Sequence, residues 1–307
     1  MALSYDQISA ITQKKFIPKL VDNIFDSDPL LKRAKEKGWY ETIDGGTSVI
    51  YPLNYAQATA EGWFQGAETL SNTDNDVITG AEYNWKQRYV SIVVTRRDEL
   101  INSGDAQIVD FVKSKVQIAE KTMADKLCDG LYNAGTDSKA IAGLRSIVDN
   151  ANTVGGIDQS AYSWWQSQED SSTTTLTIAA LQTMHTALSI NNEGPTVILA
   201  TRANYNRLYA LLQPQQRFTS GDKADAGFSS LMFNGVPFIA GSKVPSGHIF
   251  MLNEKYLHLA AHKDEDMRFS KFQEPNNQAV KVAKVYWMGV FGTDNARMHG
   301  KLTAITA

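Results

Sequence analysis

The chain has 307 residues, and 30 lysines and arginines against 33 aspartates and glutamates leave a formal net charge of −3. That balance argues against a dedicated nucleic-acid binder, whose surface is strongly basic. A hydrophobic fraction of 43% with 10% aromatics argues against a disordered chain, the single cysteine, Cys128, excludes an intrachain disulfide, and no apolar run approaches the roughly 18 residues of a membrane helix.

Met1 to Leu20 carries Asp6, Lys14, Lys15 and Lys19 and lacks the apolar stretch of a secretory signal. Ser4 and Gln7 form a capping box before Ile8, Ile11 and Phe16, which predicts a short helix interrupted by Pro18. Asp28-Pro29 supplies a cap and a first-turn proline for a second helical piece that Gly38 closes. Together the two pieces read as an arm too small to hold a core.

Gly45-Gly46 opens an extended region in which Val49, Tyr51 and Leu53 alternate as on a strand. A polar, turn-rich stretch runs from Asn54 to Gly80. One long strand then follows, with Tyr83, Trp85, Tyr89, Ser91 and Val93 on one face and Val90, Ile92 and Val94 on the other. A connection this long in a compact domain is functional or disordered. The bland reading is a floppy surface loop, and the sharper one is a long hairpin that leaves its own subunit.

The strongest helix signal runs from Asp105 to Tyr132, where Ile108, Val112, Val116, Ala119, Met123, Leu127 and Leu131 recur in steps of three and four. Its predicted length is roughly 40 Å at 1.5 Å per residue. Heptads are not kept, so it reads as the spine of an elongated domain rather than as a coiled coil. Cys128 falls within this pattern and reads as a buried, inert thiol. Residues 140–170 look irregular. Thr177 to Ile190 predicts a helix, Thr196 to Ala200 a strand, and Thr201 caps a helix expected to stop before Pro214. Asn234-Gly235 is a two-residue hairpin signal. Further strands are expected at His248–Leu252, Tyr256–Ala261, Met267–Phe272 and Ala279–Phe291, and near Lys301–Ile305. Helix, strand and helix in succession predict an α+β fold with a mixed sheet.

Little chemistry is legible. Dinucleotide, phosphate-loop and nucleophile-elbow motifs are all missing from the sequence. His258 and His262 are four apart but lack the glutamate of a zinc helix and fall in a strand pattern. His185 reads as a core residue. Glu61 with Glu68, or Asp264, Glu265 and Asp266, keep a carboxylate-dependent hydrolase as a minor alternative. Trp164 and Trp165 keep a carbohydrate-binding module as another. No catalytic, cofactor-binding or metal-binding residue is assigned.

Charge, in contrast, is unevenly placed. Residues 38–85 contain Glu41, Asp44, Glu61, Glu68, Asp74, Asp76 and Glu82 and no Lys, Arg or His, so this segment carries −7 and the remainder +4. Lys86, Arg88, Arg96 and Arg97 follow directly. One reading is a solvated acidic loop. The other is an acidic arm that docks on the basic surface of a second copy, with Trp63 and Phe64 as aromatics that need a cover. On that reading Glu61, Trp63, Phe64, Glu68, Asp74, Asp76, Lys86, Arg88, Arg96 and Arg97 are the expected subunit-contact residues.

The order of elements, together with several local runs, resembles the major capsid proteins of tailed bacteriophages, the Hong Kong 97-like capsid fold. The runs are Tyr83 to Asn102 leading into the helix from Asp105, Gly143-Leu144, Gly155-Gly156-Ile157-Asp158 with Trp164-Trp165, Ala203-Asn204-Tyr205-Asn206-Arg207-Leu208, Phe233-Asn234-Gly235-Val236-Pro237 and Val244-Pro245-Ser246-Gly247. The resemblance implies an N-terminal arm over 1–40, an extended β-hairpin loop over 41–95, a peripheral domain over 96–164 with its spine helix at 105–132, an axial domain over 165–265, and return strands of the peripheral domain over 266–307. It implies a structural protein, not an enzyme, that forms hexameric and pentameric capsomers of an icosahedral head. Such a subunit uses no cofactor and encloses double-stranded DNA without sequence-specific contact. Its partners would be a separate scaffolding protein, a portal and decoration proteins, and assembly in the host cytoplasm would place it in the virion, with no membrane involved. Some members cross-link through a loop lysine. No lysine lies between Lys37 and Lys86 here, so a non-covalent shell is expected at that loop. The short arm implies either a separate scaffold or a removed leading segment. An encapsulin-type compartment shell is the alternative within the same resemblance.

Overall fold

A computed structural model describes residues 29–73, 75–97, 105–216 and 231–305, with the side chains of the spine helix described from Lys115 onward. The capping box at Ser4, the break at Pro18, the run at Asn102 and Asp74 lie outside these residues.

Helix α1, Pro29–Lys37, is no free arm. Leu30, Leu31 and Ala34 are fully buried in the main core, and the helix ends where the Gly38 N–H bonds the Ala34 carbonyl at φ +76°. The part of the expected arm that is described therefore belongs to the body, because an i, i+1, i+4 apolar face buries itself where the strands leave room.

Strands β1 (Tyr40–Ile43), β2 (Ser48–Asn54), β3 (Ile78–Asn84) and β4 (Lys86–Thr95) follow. The sequence suggests one strand through Tyr83 and Val94, but the strand is interrupted at Trp85. Before it, Tyr83 is buried; after it, residues of the same parity face outward and Ile92 and Val94 face in. Period-2 patterning cannot register such a switch, since one irregular residue exchanges the two faces. The hairpin is β2 with β3, paired from Ser48–Asn84 to Asn54–Ile78. It ends at Asn84 rather than at 95.

Helix α2, Asp105–Leu131, has 27 residues and spans about 40 Å. Its Val116, Ala119, Met123, Leu127 and Leu131 are buried as the stripe predicts, and so are Ala124 and Cys128. Short pieces follow: α3 (Leu144–Ile147), β5 (Thr153–Val154), β6 (Ile157–Asp158) and β7 (Gln168–Asp170). Helix α4, Ile178–Leu188, is capped by the Thr177 hydroxyl accepting from the Ala180 N–H. After β8 (Val197–Ala200), helix α5 runs from Arg202 through Pro214 to Gln216, three residues past the expected stop. A proline in the last turn forfeits one helical hydrogen bond near an end that frays in any case. Strands β9 (Met232–Phe233) and β10 (Val236–Ala240) join through Asn234 and Gly235 at φ 48° and 78°, a type I′ turn. Strands β11 (Ile249–Leu252), β12 (Leu257–His262), β13 (Arg268–Phe269), β14 (Val280–Thr293) and β15 (Gly300–Leu302) complete the chain.

The strands form two main sheets. In the first, β14 is shared. One edge pairs β4 over residues 280–289, and the other pairs β13 and then β12, to which β1 adds in parallel. The second runs β7-β15-β11-β8-β10-β9 and mixes parallel and antiparallel pairs. This division differs from the boundaries at 165 and 266. Strand β12 joins the first sheet, and β15 returns to the second. A strand goes where its hydrogen bonds are satisfied, and β15 fills the position between β7 and β11.

The second sheet also separates two cores. On β8 and β11, Val197, Leu199, Phe250 and Leu252 enter the larger core with α2 and Trp165. Ile198, Ala200, Ile249 and Met251 enter the smaller one with Leu181, Leu188 and Leu208. Strands buried on both faces account for the unbroken apolar runs Val197–Ala200 and Ile249–Leu252.

Candidate assembly surface

The hairpin root is locked to the body on both strands. The Tyr83 hydroxyl donates to the Thr293 carbonyl at 2.6 Å and accepts from the Thr293 N–H at 3.0 Å. Gly292 lies under the Tyr83 ring, where an added Cβ would come within 2.6 Å. The Glu82 N–H bonds the Gly155 carbonyl at 2.9 Å, and Gly155 (φ +59°) leaves no room for a Cβ beside Ala81. The Tyr51 ring stacks on His258 at 4.4 Å, and Tyr55 stacks on Trp164 at 5.2 Å.

Beyond Tyr55 no described residue up to Val77 belongs to a strand or helix. Asn75 ties the two limbs together. Its Oδ1 accepts from the Thr59 N–H and hydroxyl, and its Nδ2 donates to the Gln57 carbonyl. The tip curls around a concavity of about 760 Å³ lined by Glu61, Trp63, Phe64, Glu68 and Leu70. Trp63 is 104% exposed and Phe64 65%. Two large aromatics this open, beside acidic side chains on a braced stalk, form a surface that gains by being covered.

Of the expected contact residues, the structure brings Glu61, Trp63, Phe64 and Glu68 together at the tip. Asp76 sits apart, lining a cleft of about 420 Å³ with Tyr55, Tyr162 and Trp164, and Asp74 lies outside the described residues. The basic four do not form one patch. Lys86 and Arg88 begin β4, whereas Arg96 and Arg97 follow its far end, roughly 26 Å away at 3.3 Å per residue. Lys86 Nζ donates to the Ser138 carbonyl at 2.6 Å, while Arg96 and Arg97 are exposed.

The acidic segment divides as well. Glu41 Oε1 meets His258 Nδ1 at 2.8 Å, and Asp44 pairs with Lys263 at 3.3 Å, so both are engaged within the subunit. Sequence reading put His258 on a strand, as it is, but not between Glu41 and Asp294, which lies 3.2 Å from its other nitrogen. Its partners are 217 and 36 positions away, and no local pattern could reveal them. Trp165 is buried, with its indole N–H on the Val154 carbonyl, so a sugar platform of both tryptophans is not available. His258 and His262 lie on β12, and among the described residues no group of three or more His, Cys, Asp or Glu is placed to hold a metal ion. Among the same residues no helix is long and apolar enough to cross a membrane.

Neither a protein-family model nor a curated protein sequence matches the chain. Solved structures do match it over nearly its whole length. The capsid asymmetric unit of cyanophage A-1(L) aligns with a TM-score of 0.64 at 17% identity, covering 87% of this chain and 91% of that one. The capsid of a native GTA particle aligns at 0.65 and 12%, covering 89% and 90%. The holo-SrpI encapsulin complex from Synechococcus elongatus PCC 7942 aligns at 0.55 and 14%, covering 87% and 84%. The chain has the fold of tailed-phage major capsid proteins. It is a mixed α+β fold of the kind from which capsid shells are built.

Proposed function

We propose that this chain is the major capsid subunit of a tailed double-stranded DNA phage, assembling with itself into hexamers and pentamers of an icosahedral head. The observation that carries this reading is the tip at residues 61–70, apolar and acidic, open on the isolated subunit and held out on a root keyed to Thr293 and Gly155. The β2–β3 hairpin with its tip, residues 48–84, then acts as the loop that lies on a neighbour, while α1 and β1 stay with the body. The first sheet with α2 forms the peripheral part, and the second sheet with α4 and α5 forms the axial part. Cohesion comes from large, partly apolar interfaces rather than from chemistry, and the genome is held by confinement. A separate scaffolding protein, a portal and decoration proteins complete the set of partners.

The test is negative-stain imaging and size-exclusion chromatography of the purified full chain. Closed shells of uniform diameter that package DNA when produced in an infected host support the reading. Monomers or dimers under every condition overturn it. Shells that enclose a protein cargo instead of DNA favour a compartment shell, the reading that the encapsulin likeness supports.

A further inference from the structure

The two aromatic residues that seat the hairpin on the body do so in chemically different ways. Tyr83, on β3, is held by two hydrogen bonds to the Thr293 backbone, which do not change with pH. Tyr51, on β2, has a buried hydroxyl with no hydrogen-bond partner. Its seat is the stack on the His258 imidazole, with ring centroids 4.4 Å apart and planes 19° apart.

His258 stands between two carboxylates. Nδ1 is 2.8 Å from Glu41 Oε1 on β1. Nε2 is 3.2 Å from Asp294 Oδ2, just past β14, close enough for an ion pair without the alignment of a hydrogen bond. The other titratable groups packed around it are Tyr51 on β2, Tyr83 on β3, whose ring is 6.0 Å from that of Tyr51, and the fully buried His299. A protonated imidazole balances two nearby carboxylates and offers its cationic face to the tyrosine ring. A neutral one leaves two carboxylates facing each other across a partly buried site and removes the cation from the stack.

We propose that His258 is a pH-sensitive pin for the extended hairpin: its imidazolium seats β2 through Tyr51, and loss of its proton frees that side of the hairpin while Tyr83 keeps the other side tethered. The inference concerns the subunit alone and stands or falls independently of shell assembly. Burial disfavours the charged ring, but the two carboxylates outweigh it and hold the imidazole above its ordinary range. The sign follows. Seating is complete below about pH 6.5, where even an unperturbed imidazole is charged, and is lost as pH rises through the raised value. Burial holds His299 neutral, with its own titration near 4, below this window.

The experiment is hydrogen exchange by mass spectrometry on the full chain between pH 5.5 and 9, corrected for intrinsic exchange, with the oligomeric state recorded at each pH. Peptides spanning 48–84 report the hairpin, and peptides spanning 178–188 serve as the internal control. In the unaltered chain, hairpin opening should rise from about pH 6.5 by up to about tenfold per pH unit, the limit for one proton, and level off above the raised value, while the control stays flat. His258→Gln should be open at every pH. Glu41→Gln, which removes one carboxylate, should retain the transition and move its midpoint to lower pH. A flat response in the unaltered chain overturns the proposal. So does the same slope in His258→Gln, an unmoved midpoint in Glu41→Gln, or a control that opens in step with the hairpin. If His258→Gln fails to fold, the midpoint in Glu41→Gln decides.

Discussion

Arg33 and Glu254 meet in a two-pronged ion pair across 221 positions of sequence, Nε to Oε1 at 2.7 Å and Nη2 to Oε2 at 2.6 Å. The pair fastens helix α1 to the turn between β11 and β12. Glu254 is 5% exposed and also accepts from the Thr196 hydroxyl. Arg33→Ala would strand a buried carboxylate and should cost about 3 kcal/mol in denaturant unfolding. Replacing both partners, Arg33→Met with Glu254→Leu, should cost clearly less than the single change, because no unpaired charge is left inside. A single change within experimental error of the unaltered chain would refute this account.

Gly155 and Gly292 leave the space in which the hairpin root lies. Gly155→Ala adds a Cβ to a residue at φ +59° and drives it to 2.7 Å from Ala81 Cβ. The expected cost is about 1–3 kcal/mol of local stability, seen as faster protease cleavage between residues 48 and 84 with little change in global unfolding. Tyr83→Phe should act in the same direction, since it removes a buried donor and acceptor together.

The tip should matter to assembly and not to folding. Trp63→Ser with Phe64→Ser alters side chains that are already in solvent on the isolated subunit, so the unfolding midpoint should move by no more than about 0.5 kcal/mol equivalent. Particle yield should collapse. Normal shells from this double variant, counted by microscopy, would remove the tip from the interface.

Charge should steer the same contact. Arg96 and Arg97 are exposed whereas Lys86 already donates to Ser138, so the far end of β4 is the better partner for the acidic tip of another copy. Arg96→Glu with Arg97→Glu should block assembly and leave subunits folded. Adding Glu61→Lys and Glu68→Lys should restore it in part. Assembly of the unaltered chain should weaken as salt is raised through 0.15 to 1 M, over which the screening length falls from roughly 8 to 3 Å. Salt-insensitive assembly or no rescue would count against electrostatic docking. With no lysine on the loop, denaturing gels of particles should show monomers rather than a ladder.

Much of this was readable from residues, and what was not readable has a common cause. Thr177, Gly38 and the Asn234-Gly235 turn act through neighbours in sequence, and each appears where the pattern puts it. The stripe on α2 is equally local. The exchange of faces at Trp85, the transfer of β12 and β15 between sheets, and the docking of α1 all depend on pairings across the chain. The tip aromatics were legible because large apolar side chains in a polar stretch are anomalous by themselves. The division of the acids between internal partners and solvent was not, because Glu41 looks the same in sequence whether His258 faces it or water does.

His299 gives a second, opposite pH dependence. Its Nδ1 accepts from the Asn253 N–H and its Nε2 lies 3.0 Å from the Thr293 hydroxyl, so a second ring proton would meet a donor. Complete burial pushes its titration down to about 4. Its contribution to stability is therefore full above about pH 6.5 and declines as pH falls toward 4, by up to roughly 3 kcal/mol. Urea unfolding at pH 7, 5.5 and 4.5 should show this loss, and His299→Gln should show a shallower one. An equal slope in both would exclude His299 as the source.

Strand β4 follows the hairpin after a single residue and lies antiparallel to β14 over ten register positions, Lys86–Gly289 to Thr95–Val280. A tug on the loop along that strand is therefore taken in shear, with every rung strained at once, and not in peeling, where rungs would fail one after another. The rungs continue beyond β4 into β12 and β13 on the opposite edge of β14. Tension entering through the hairpin thus spreads across the width of a sheet before it reaches any single hydrogen bond.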